Sequence, residues 1–524
     1  MRFLPAGDDA FLIELRDLAE TLAMLDALRA APIAGVIEAV PAARTLLVRF
    51  DPDVTDRRAL AAALGGVDLS VRRTQSGAIF DIPVIYDGED LGDVADILGC
   101  SAQELVARHT AATYTVAFTG FAPGFAYMTC DDPTFDVPRR KSPRVRVPAG
   151  AVALGGKFCG IYPSDSPGGW QLLGRTPVMM WDAHRPRAAL LAPGDRVRFQ
   201  RADKKTTVGL SETARNAPSG KPLTAGLLVT RADRPALFQD LGRLGYADQG
   251  VGESGALDRA SLIEANVCVG NARGAPALEV TFGGFGFKTD REITLAVTGA
   301  PCALAVESAN GQRYWAPLAR PFTLEAGDEL RLEAPSAGMR SYLALRGGFK
   351  VAHVLGSAST DTLAKVGPAP VVQGNFLIPA NLPVGDLDAS APRHRPIPKP
   401  GNTVTLDVVL GPRTDWFTEE SVALLFAQDW KVTAEANRVG IRLAGALPLE
   451  KRSTAELPSE ATVLGAIQVP HSGQPVLFLA DHPLTGGYPV IGVVARHHLD
   501  LCGQLPGGAK VRFKPAAAFT PFVR

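Results

Sequence analysis

The sequence predicts a mainly β protein with α+β parts, divided into several domains. Its 524 residues exceed what one compact core usually holds, and roughly 150 residues per domain suggests three to four domains. Residues 114–200 are dense in glycine and proline and contain short β-type runs, a texture typical of barrels and sandwiches. The second half repeats this texture, and helical periodicity is confined to short segments.

The first 110 residues predict a small α/β unit. Leucines recur at helical spacing at positions 18, 22, 25 and 28, and LLVRF alternates as a strand with Leu46 and Val48 on one face. Ser101 and Glu104 have the form of a capping box, in which the hydroxyl accepts an early backbone N–H. We expect a helix from there to about His109.

The second half predicts two further helices among its strands. One spans about 259–269 and is ended by Gly270, and the other begins near Thr418 with Glu419 and Glu420 in its first turn. A polar stretch without periodicity suggests a linker, and the proline-rich run at 392–402 suggests a boundary. The predicted units are 1–112, 113–201, a linker at 202–223, 224–391 and 392–524.

A weak internal echo connects the two ends of the chain. The first half contains VPAG (147–150), SPGGW (166–170) and GDRVRF (194–199), and the last part contains VPHSG (469–473), TGGYP (485–489) and GGAKVRF (507–513). GDELRL (327–332) is a third relative of the closing piece. The shared order and similar separations predict duplicated β-barrel units, with chance similarity over so few positions as the alternative.

Charge and composition exclude several classes of protein. Fifty-four basic residues balance fifty-four acidic ones, so a broad electrostatic surface for nucleic acid or anionic lipid is not expected. No apolar run is long enough to span a membrane, and acids interrupt the N-terminal run, which does not read as a signal peptide. The six cysteines lack metal-ligand spacing and predict reduced, mostly buried thiols. We expect a cytoplasmic protein.

Common catalytic and cofactor motifs are missing or out of context. Residues 250–255 match GxGxxG, but the preceding segment is polar rather than a buried strand, which predicts a glycine-rich surface loop. The sequence contains no Walker A, GxSxG or HExxH motif. His497 and His498 are adjacent, and their side chains are expected to diverge at the surface. No metal site is predicted.

A first cluster of glycine, proline and charge lies between residues 118 and 177. Five cations fall within eight positions: Arg139, Arg140, Lys141, Arg144 and Arg146. Guanidinium groups pair bidentately with oxyanions, so a rigid pocket for a carboxylate or phosphate is one interpretation. A solvated basic edge that discourages strand pairing is the other. The candidate catalytic cations are Arg139, Lys141, Arg144 and Arg175.

A second cluster runs from residue 238 to 271 and continues at 435–445 and 479–489. Glycines let a backbone approach a ligand closely, while charged and amide side chains orient it. A structural ion-pair network explains the same residues equally well. The candidates are Asp240 and Arg243 as catalytic groups, and Gly168, Gly169, Asp258, Asn266, Asn437, Arg438, Gly486, Gly487 and Tyr488 as substrate- or cofactor-binding groups.

Several long segments resemble one family. FTGFAPGFAY and VPAGAVALGGKFCGIYPSDSPGGWQLLGRTP resemble the first subunit of the bacterial 5-oxoprolinase pair, the family of allophanate hydrolase subunit 1 and the KipI kinase inhibitor. FQDLGRLGYADQGVGESGALD, EANRVGIRL and GAIQVPHSGQPVLFLADHPLTGGYPVIGVVA resemble the second, KipA-like subunit. The resemblance covers about 5–200 and 224–514, in the order first subunit then second.

The resemblance implies cyclophilin-like β-barrel domains in both halves and a small α/β domain before the first barrel. It also implies ATP-dependent opening of 5-oxo-L-proline to L-glutamate, with ATP and Mg²⁺, together with a separate LamB/YcsF-type component. We further expect a homo-oligomer. Two alternatives stay open: carboxyl transfer from biotin to urea or a related amide, in which biotin is the cofactor, and inhibition of a histidine kinase.

Overall fold

A computed structural model describes residues 1–69, 77–140, 142–203, 226–390, 395–453 and 455–523. The predicted linker lies outside these residues from 204 onward, as do Lys141 and the start of the proline-rich run. The fold is mainly β with few helices, as predicted.

The N-terminal unit is an antiparallel sheet covered by two helices. Its elements are β1 (Arg2–Pro5), β2 (Ala10–Glu14), α1 (Leu18–Ala30), β3 (Val36–Pro41), β4 (Thr45–Phe50) and α2 (Arg57–Gly65). Asp17 caps α1 and Asp56 caps α2, each accepting backbone N–H bonds in the first turn. Leucines of both helices pack onto Phe11 and Val48, which confirms the predicted α/β unit.

The first barrel-like sheet follows, with two helices before its second strand. Its elements are β5 (Ile79–Val84), α3 (Leu91–Ile97), α4 (Ala102–Ala111), β6 (Thr113–Thr119), β7 (Ala126–Thr129), β8 (Arg144–Val147), β9 (Ala151–Gly155), β10 (Phe158–Ile161), β11 (Ser166–Gly168), β12 (Gln171–Arg175) and β13 (Arg196–Arg201). Ser101 accepts a bond from Glu104 N, which confirms the predicted helix cap. Reciprocal backbone bonds between Ile85 and Arg175 join the two edge strands. Because β5 belongs to this sheet, the sheet begins earlier than the predicted unit 113–201.

The middle unit packs a six-stranded sheet on a five-stranded sheet. Its elements are β14 (Leu227–Ala232), β15 (Leu237–Gln239), α5 (Arg259–Cys268), β16 (Ala277–Thr281), β17 (Phe285–Lys288), β18 (Ile293–Gly299), β19 (Leu304–Glu307), β20 (Arg313–Ala316), β21 (Phe322–Leu324), β22 (Glu329–Leu332), β23 (Arg340–Leu345) and β24 (Phe376–Leu377). Residues of both sheets share one apolar core. Asp258 caps α5 and Gly270 follows its last turn with φ of 71°, as the sequence predicts.

The last unit is a closed barrel. Its elements are β25 (Thr403–Leu410), α6 (Glu419–Ala427), β26 (Trp430–Ala436), β27 (Gly440–Ala444), β28 (Glu460–Ala461), β29 (Ala466–Gln468), β30 (Val476–Phe478), β31 (Thr485–Gly486), β32 (Val490–Val494), α7 (Leu499–Cys502), β33 (Lys510–Ala517) and β34 (Phe522–Val523). Thr418 caps α6 as predicted, and β34 leaves the barrel to pair with β1. Short 3₁₀ turns occupy Pro133–Phe135, Ala247–Gln249, Thr414–Trp416 and Arg496–His498.

The first and last barrels share one strand order. The first runs β5-β13-β6-β7-β10-β9-β12, and the last runs β25-β33-β26-β27-β30-β29-β32. In both, the closing strand lies parallel to the opening strand, and a separate two-stranded ribbon, β8–β11 or β28–β31, stands beside the barrel. This topology confirms the duplication predicted from the sequence echo. GDELRL instead lies in β22, whose neighbours are both antiparallel.

Candidate ligand pocket between the two barrels

A cavity of about 460 Å³ lies where the first barrel faces the last barrel. We call it the interbarrel pocket. Its volume falls in the range of small-ligand sites, roughly 300–1,000 Å³. The first half contributes Phe121, Phe125, Tyr127, Arg139, Arg140, Pro143, Tyr162, Gly168, Gly169 and Trp170. The last barrel contributes Lys451, Ala455, Glu456, Leu457, Ser459, His471, Thr485, Gly486, Gly487, Tyr488 and Pro489.

The floor of the pocket is aromatic and rigid. The ring centre of Phe125 lies 5.3 Å from Tyr162 and 5.4 Å from Trp170, and Tyr127 lies 5.5 Å from Trp170, all edge to face. These rings are almost fully buried. Burial raises the pKa of Tyr162 to about 12 and also raises that of Tyr127, so both phenols stay protonated at neutral pH. The floor therefore offers flat apolar faces and neutral hydroxyls.

Equivalent pieces of the repeat line the two walls. SPGGW of the first half and TGGYP of the last barrel both reach the pocket, and each begins in a strand of its ribbon, β11 or β31. Gly168 is required by packing, because a Cβ there would lie 2.2 Å from the Tyr162 hydroxyl. Gly169 and Gly487 have ordinary room for a Cβ, at 3.7 and 3.6 Å from their nearest neighbours. The walls thus bring backbone close to any ligand on the floor.

The polar groups of the pocket are mostly cationic. Arg139 forms no ion pair within the described residues. The Lys451 Nζ faces the Nδ1 of His471 at 3.5 Å, and the His471 ring stands edge-on to Tyr488 with ring centres 5.2 Å apart. Arg140 is held by Asp90 at 2.7 Å. Because an ammonium can only donate, we assign the His471 Nδ1 as the acceptor and Nε2 as the protonated nitrogen.

The structure brings six of the predicted site residues together in this pocket: Arg139, Gly168, Gly169, Gly486, Gly487 and Tyr488. Two predicted cations lie elsewhere. Arg144 donates to Asp90 at 2.7 Å and to Glu89 at 3.1 Å, and Arg175 pairs with Asp87 at 3.2 Å on an exposed edge. Lys141 lies outside the described residues. Most of the basic cluster therefore corresponds to the alternative interpretation, a salt-bridged edge.

The second predicted cluster forms a buried ion-pair network instead of lining the pocket. Arg438 donates to Asp481 through two nitrogens at 2.9 Å each and to Glu279 at 2.7 Å. Burial opposes the charge of Arg438, but Asp481 and Glu279 raise its pKa. Since Glu279 belongs to β16 and Arg438 immediately precedes β27, this network ties the middle unit to the last barrel. The structural alternative explains this cluster.

Other residues of the second cluster also have structural partners. Asp240 accepts bonds from two serine hydroxyls and two backbone N–H groups at 2.5–2.8 Å. Asp258 caps α5, Asn266 donates to the Ala275 carbonyl at 2.7 Å, and Asn437 accepts two N–H bonds in a turn. Arg243 is buried and donates to the Ser359 carbonyl, while its Nε and Nη1 have no partner. None of these residues lines the interbarrel pocket.

Two other expectations are wrong. The loop at 250–255 is largely buried, because Gly250 packs against the Ala122 carbonyl and Gly124 N donates to the Gln249 carbonyl at 2.9 Å. It joins the two halves and is not a surface loop. The rings of His497 and His498 do not diverge, since their centres lie 4.2 Å apart in a 3₁₀ turn, beside Asp407. His498 Nδ1 accepts the Asp407 N–H at 2.9 Å, which leaves that nitrogen unavailable to a metal.

Buried His109 is part of the first barrel's core. Its Nδ1 lies 2.8 Å from the Tyr86 hydroxyl and its ring stacks on Phe199 at 4.6 Å. Burial lowers its pKa to about 3, so the imidazole is neutral and inaccessible to a ligand. His109 is therefore a packed residue rather than a general base.

Sequence reasoning missed Lys451, Glu456 and His471 and the aromatic floor. His471 stands within the VPHSG piece of the echo, so the repeat itself was a usable signal. Lys451 lies between β27 and β29, as Arg139 lies between β7 and β9, which makes the two cations equivalent in the repeat.

Two similar barrels enclosing one pocket define a duplicated-barrel protein with a shared ligand site. The family models agree over most of the chain: "carboxyltransferase domain, subdomain C and D" matches residues 1–191, and "carboxyltransferase domain, subdomain A and B" matches residues 249–515. The chain belongs to the carboxyltransferase-domain family, with both pairs of subdomains fused.

Curated relatives match one half each. The C-type 5-oxoprolinase subunit of Escherichia coli K12 is 33% identical over 290 residues, covering 55% of this chain and 90% of that protein. The B-type 5-oxoprolinase subunit of Escherichia coli O157:H7 is 37% identical over 169 residues, covering 32% of this chain and 78% of that protein. Urea amidolyase of Lachancea kluyveri is 32% identical over 296 residues, covering 52% of this chain but only 16% of that protein.

A solved structure matches the whole chain. The crystal structure of TTHA0988 is 35% identical, covers 96% of this chain and 99% of that chain, and superimposes with a TM-score of 0.81. The order of the two halves is thus shared with a protein of the same length range. Among the described residues, no helix is long and apolar enough to cross a membrane.

Proposed function

We propose that this chain fuses the B-type and C-type subunits of an ATP-dependent 5-oxoprolinase, which opens 5-oxo-L-proline to L-glutamate. The observation that carries the proposal is the match of relatives named as these two 5-oxoprolinase subunits to successive halves of the chain. The interbarrel pocket supports it, because its walls come from both halves.

The chemistry requires cations near a resonance-stabilised amide. A lactam carbonyl resists attack by water, and phosphorylation of its oxygen makes the carbon more electrophilic. Negative charge then develops on oxygen and is stabilised by preorganised donors. Arg139, Lys451 and the Nε2–H of His471 are the donors that we propose for this task. Asp240, Arg243 and Arg438 position the middle unit and the last barrel and do not contact the ligand.

The pocket fits the amide better than it fits a magnesium nucleotide. Among the described lining residues Glu456 is the only carboxylate, whereas Mg²⁺ is usually held by one or two carboxylates together with phosphate oxygens. We therefore derive no step through ATP bound in this pocket. We propose that nucleotide activation involves a separate LamB/YcsF-type component and that the chain assembles as a homo-oligomer in the complex.

Carboxyl transfer is the second candidate function. The family model is described as a carboxyltransferase domain, and a urea amidolyase is among the relatives. A flat ureido ring of biotin would also suit the aromatic floor. Under this alternative, the carboxylated cofactor and its carrier come from other proteins.

Reconstitution separates the two candidates. Purified chain is combined with the LamB/YcsF-type protein encoded beside it, ATP and 5-oxoproline, and glutamate and ADP are measured. We expect equal amounts of both products, and none when either protein is omitted. In a parallel reaction carboxybiotin and urea replace ATP and 5-oxoproline. Loss of biotin carboxylation with urea present, and no glutamate in the first reaction, would support carboxyl transfer instead.

A further inference from the structure

The interbarrel pocket holds one unpaired cation on each wall. Arg139 comes from the segment between β7 and β9, and Lys451 comes from the equivalent segment between β27 and β29. Within the described residues neither side chain meets a carboxylate, and the contact of Lys451 with a side chain is to the His471 ring at 3.5 Å. Most other arginines around this face are already paired, as Arg140 is with Asp90.

Arg139 lies over the floor of the pocket rather than pointing away from it. Its positive charge acts on the hydroxyls of both Tyr127 and Tyr162, opposing the rise in pKa that burial causes in each phenol. Both tyrosines belong to the aromatic floor. The guanidinium is therefore close enough to contact a ligand that rests on these rings.

The balance of charge in the lining favours an anion. Arg139, Arg140 and Lys451 face a single acid, Glu456, among the described lining residues. Arginine and lysine pair strongly with carboxylates, and a charge-assisted bond gains strength where water is partly excluded. A neutral ligand would leave both unpaired cations without a partner.

The shape of the lining favours a flat ligand. The rings of Phe125, Tyr162 and Trp170 form the floor, and the paired glycines of SPGGW and TGGYP let the walls approach closely. Ser459 and the backbone near the glycines supply hydrogen-bonding groups for a planar amide.

We infer that the pocket selects small planar amides that carry a carboxylate, and that Arg139 and Lys451 hold this carboxylate between the two barrels. The inference rests on the proposed function in its choice of 5-oxoproline as the probe. It excludes neutral amides such as urea as good ligands of this pocket.

Binding to the full chain tests the inference without turnover. Calorimetry compares L-5-oxoproline with 2-pyrrolidinone, the same lactam without the carboxylate, and with urea. We expect 5-oxoproline to bind at least about tenfold more tightly than either neutral amide. Arg139→Gln and Lys451→Gln should each weaken 5-oxoproline binding by about tenfold or more and leave 2-pyrrolidinone unchanged. Arg198→Gln is the matched control, because Arg198 pairs with Asp81 on an exposed strand away from the pocket.

Three results would overturn the inference. They are equal binding of 2-pyrrolidinone and 5-oxoproline, unchanged 5-oxoproline binding in both pocket variants, and no measurable 5-oxoproline binding to the wild-type chain. The proposed function fails separately. If the reconstituted complex makes no glutamate while carboxylate-dependent binding persists, the activity is wrong and the carboxylate site stands. If glutamate forms with an unchanged KM in both variants, the activity stands and the carboxylate site is wrong.

Discussion

Arg438 and Asp481 form a two-point ion pair in the protein interior, with Nε–Oδ2 and Nη2–Oδ1 distances of 2.9 Å each. Ser254 also donates to Asp481 at 2.7 Å, and Thr362 donates to it through its N–H and its hydroxyl at 2.8 Å. One carboxylate therefore fixes segments of the middle unit against the last barrel. A buried charge with so many partners is costly to leave alone.

Removing this guanidinium should destabilise the protein strongly. Arg438→Met leaves Asp481 and Glu279 buried without their shared cation, and we expect a loss of about 3–5 kcal/mol in the free energy of unfolding, or failure to fold. Arg442→Met is the control from strand β27, since Arg442 pairs with Glu435 in solvent and should contribute less than about 1 kcal/mol. Urea denaturation measures both, and equal losses in the two variants would contradict the role of the network.

Asp361 should make stability depend on pH. Burial and the nearby Asp481 raise its pKa from 3.8 to about 7, although Arg243 and Arg438 partly oppose this. The folded chain then binds more protons than the unfolded chain between about pH 4 and 7, so this group's contribution to stability falls as pH rises through that window and is level above it.

Asp361→Asn removes this titration while its side-chain oxygen can still accept the N–H groups of Leu363 and Ala364. We expect the difference in unfolding free energy, variant minus wild type, to grow with pH from 4 to 7 by at most about 1.4 kcal/mol per unit. Denaturation series at several pH values measure it. A difference that stays constant with pH would show that Asp361 titrates normally.

The two neighbouring glycines of SPGGW should respond differently to alanine. In Gly168→Ala the new methyl group meets the Tyr162 hydroxyl at 2.2 Å, so the ring must move off Phe125 at a cost of about 1–3 kcal/mol. In Gly169→Ala the nearest atom is 3.7 Å away, and little change is expected. Thermal unfolding and 5-oxoproline binding measure the effects. Similar behaviour of both variants would argue against a rigid floor.

The contact between the two halves can be tested with a second glycine pair. Gly245 and Gly250 both have positive φ, so alanine strains the backbone at either site by about 1–2 kcal/mol. A Cβ at Gly250 also meets the Ala122 carbonyl at 2.4 Å, whereas one at Gly245 meets no atom within 4 Å. We expect Gly250→Ala to lose about 1–3 kcal/mol more than Gly245→Ala and to accelerate proteolysis between the halves. An equal loss would mean that this contact is easily rearranged.

Local signals in the sequence predicted the elements well. The caps at Ser101 and Thr418 and the glycine at position 270 each depend on a few neighbouring residues, and the helices begin and end there. The echo predicted the duplication because strand order is repeated with the motifs. These features are encoded over short stretches of chain, so periodicity and spacing reveal them.

The pocket could be predicted only in part. The glycines of the echo reach it, but a basic residue gives no local sign of its partner. Arg144 meets Asp90, which is 54 positions away, while Arg139 in the same basic cluster stays unpaired among the described residues. Asp240 and Arg438 looked like ligand-binding residues because buried ion networks use the same residue types as active sites. Only the packing of the barrels separates these cases.

The fused chain has a consequence for expression. Because Arg139 and Lys451 belong to different halves but line one pocket, every translated molecule supplies both walls in a one-to-one ratio. A cell that makes the halves as separate polypeptides has to balance two syntheses, and any surplus of one leaves an incomplete site. Here stoichiometry is set by the open reading frame itself.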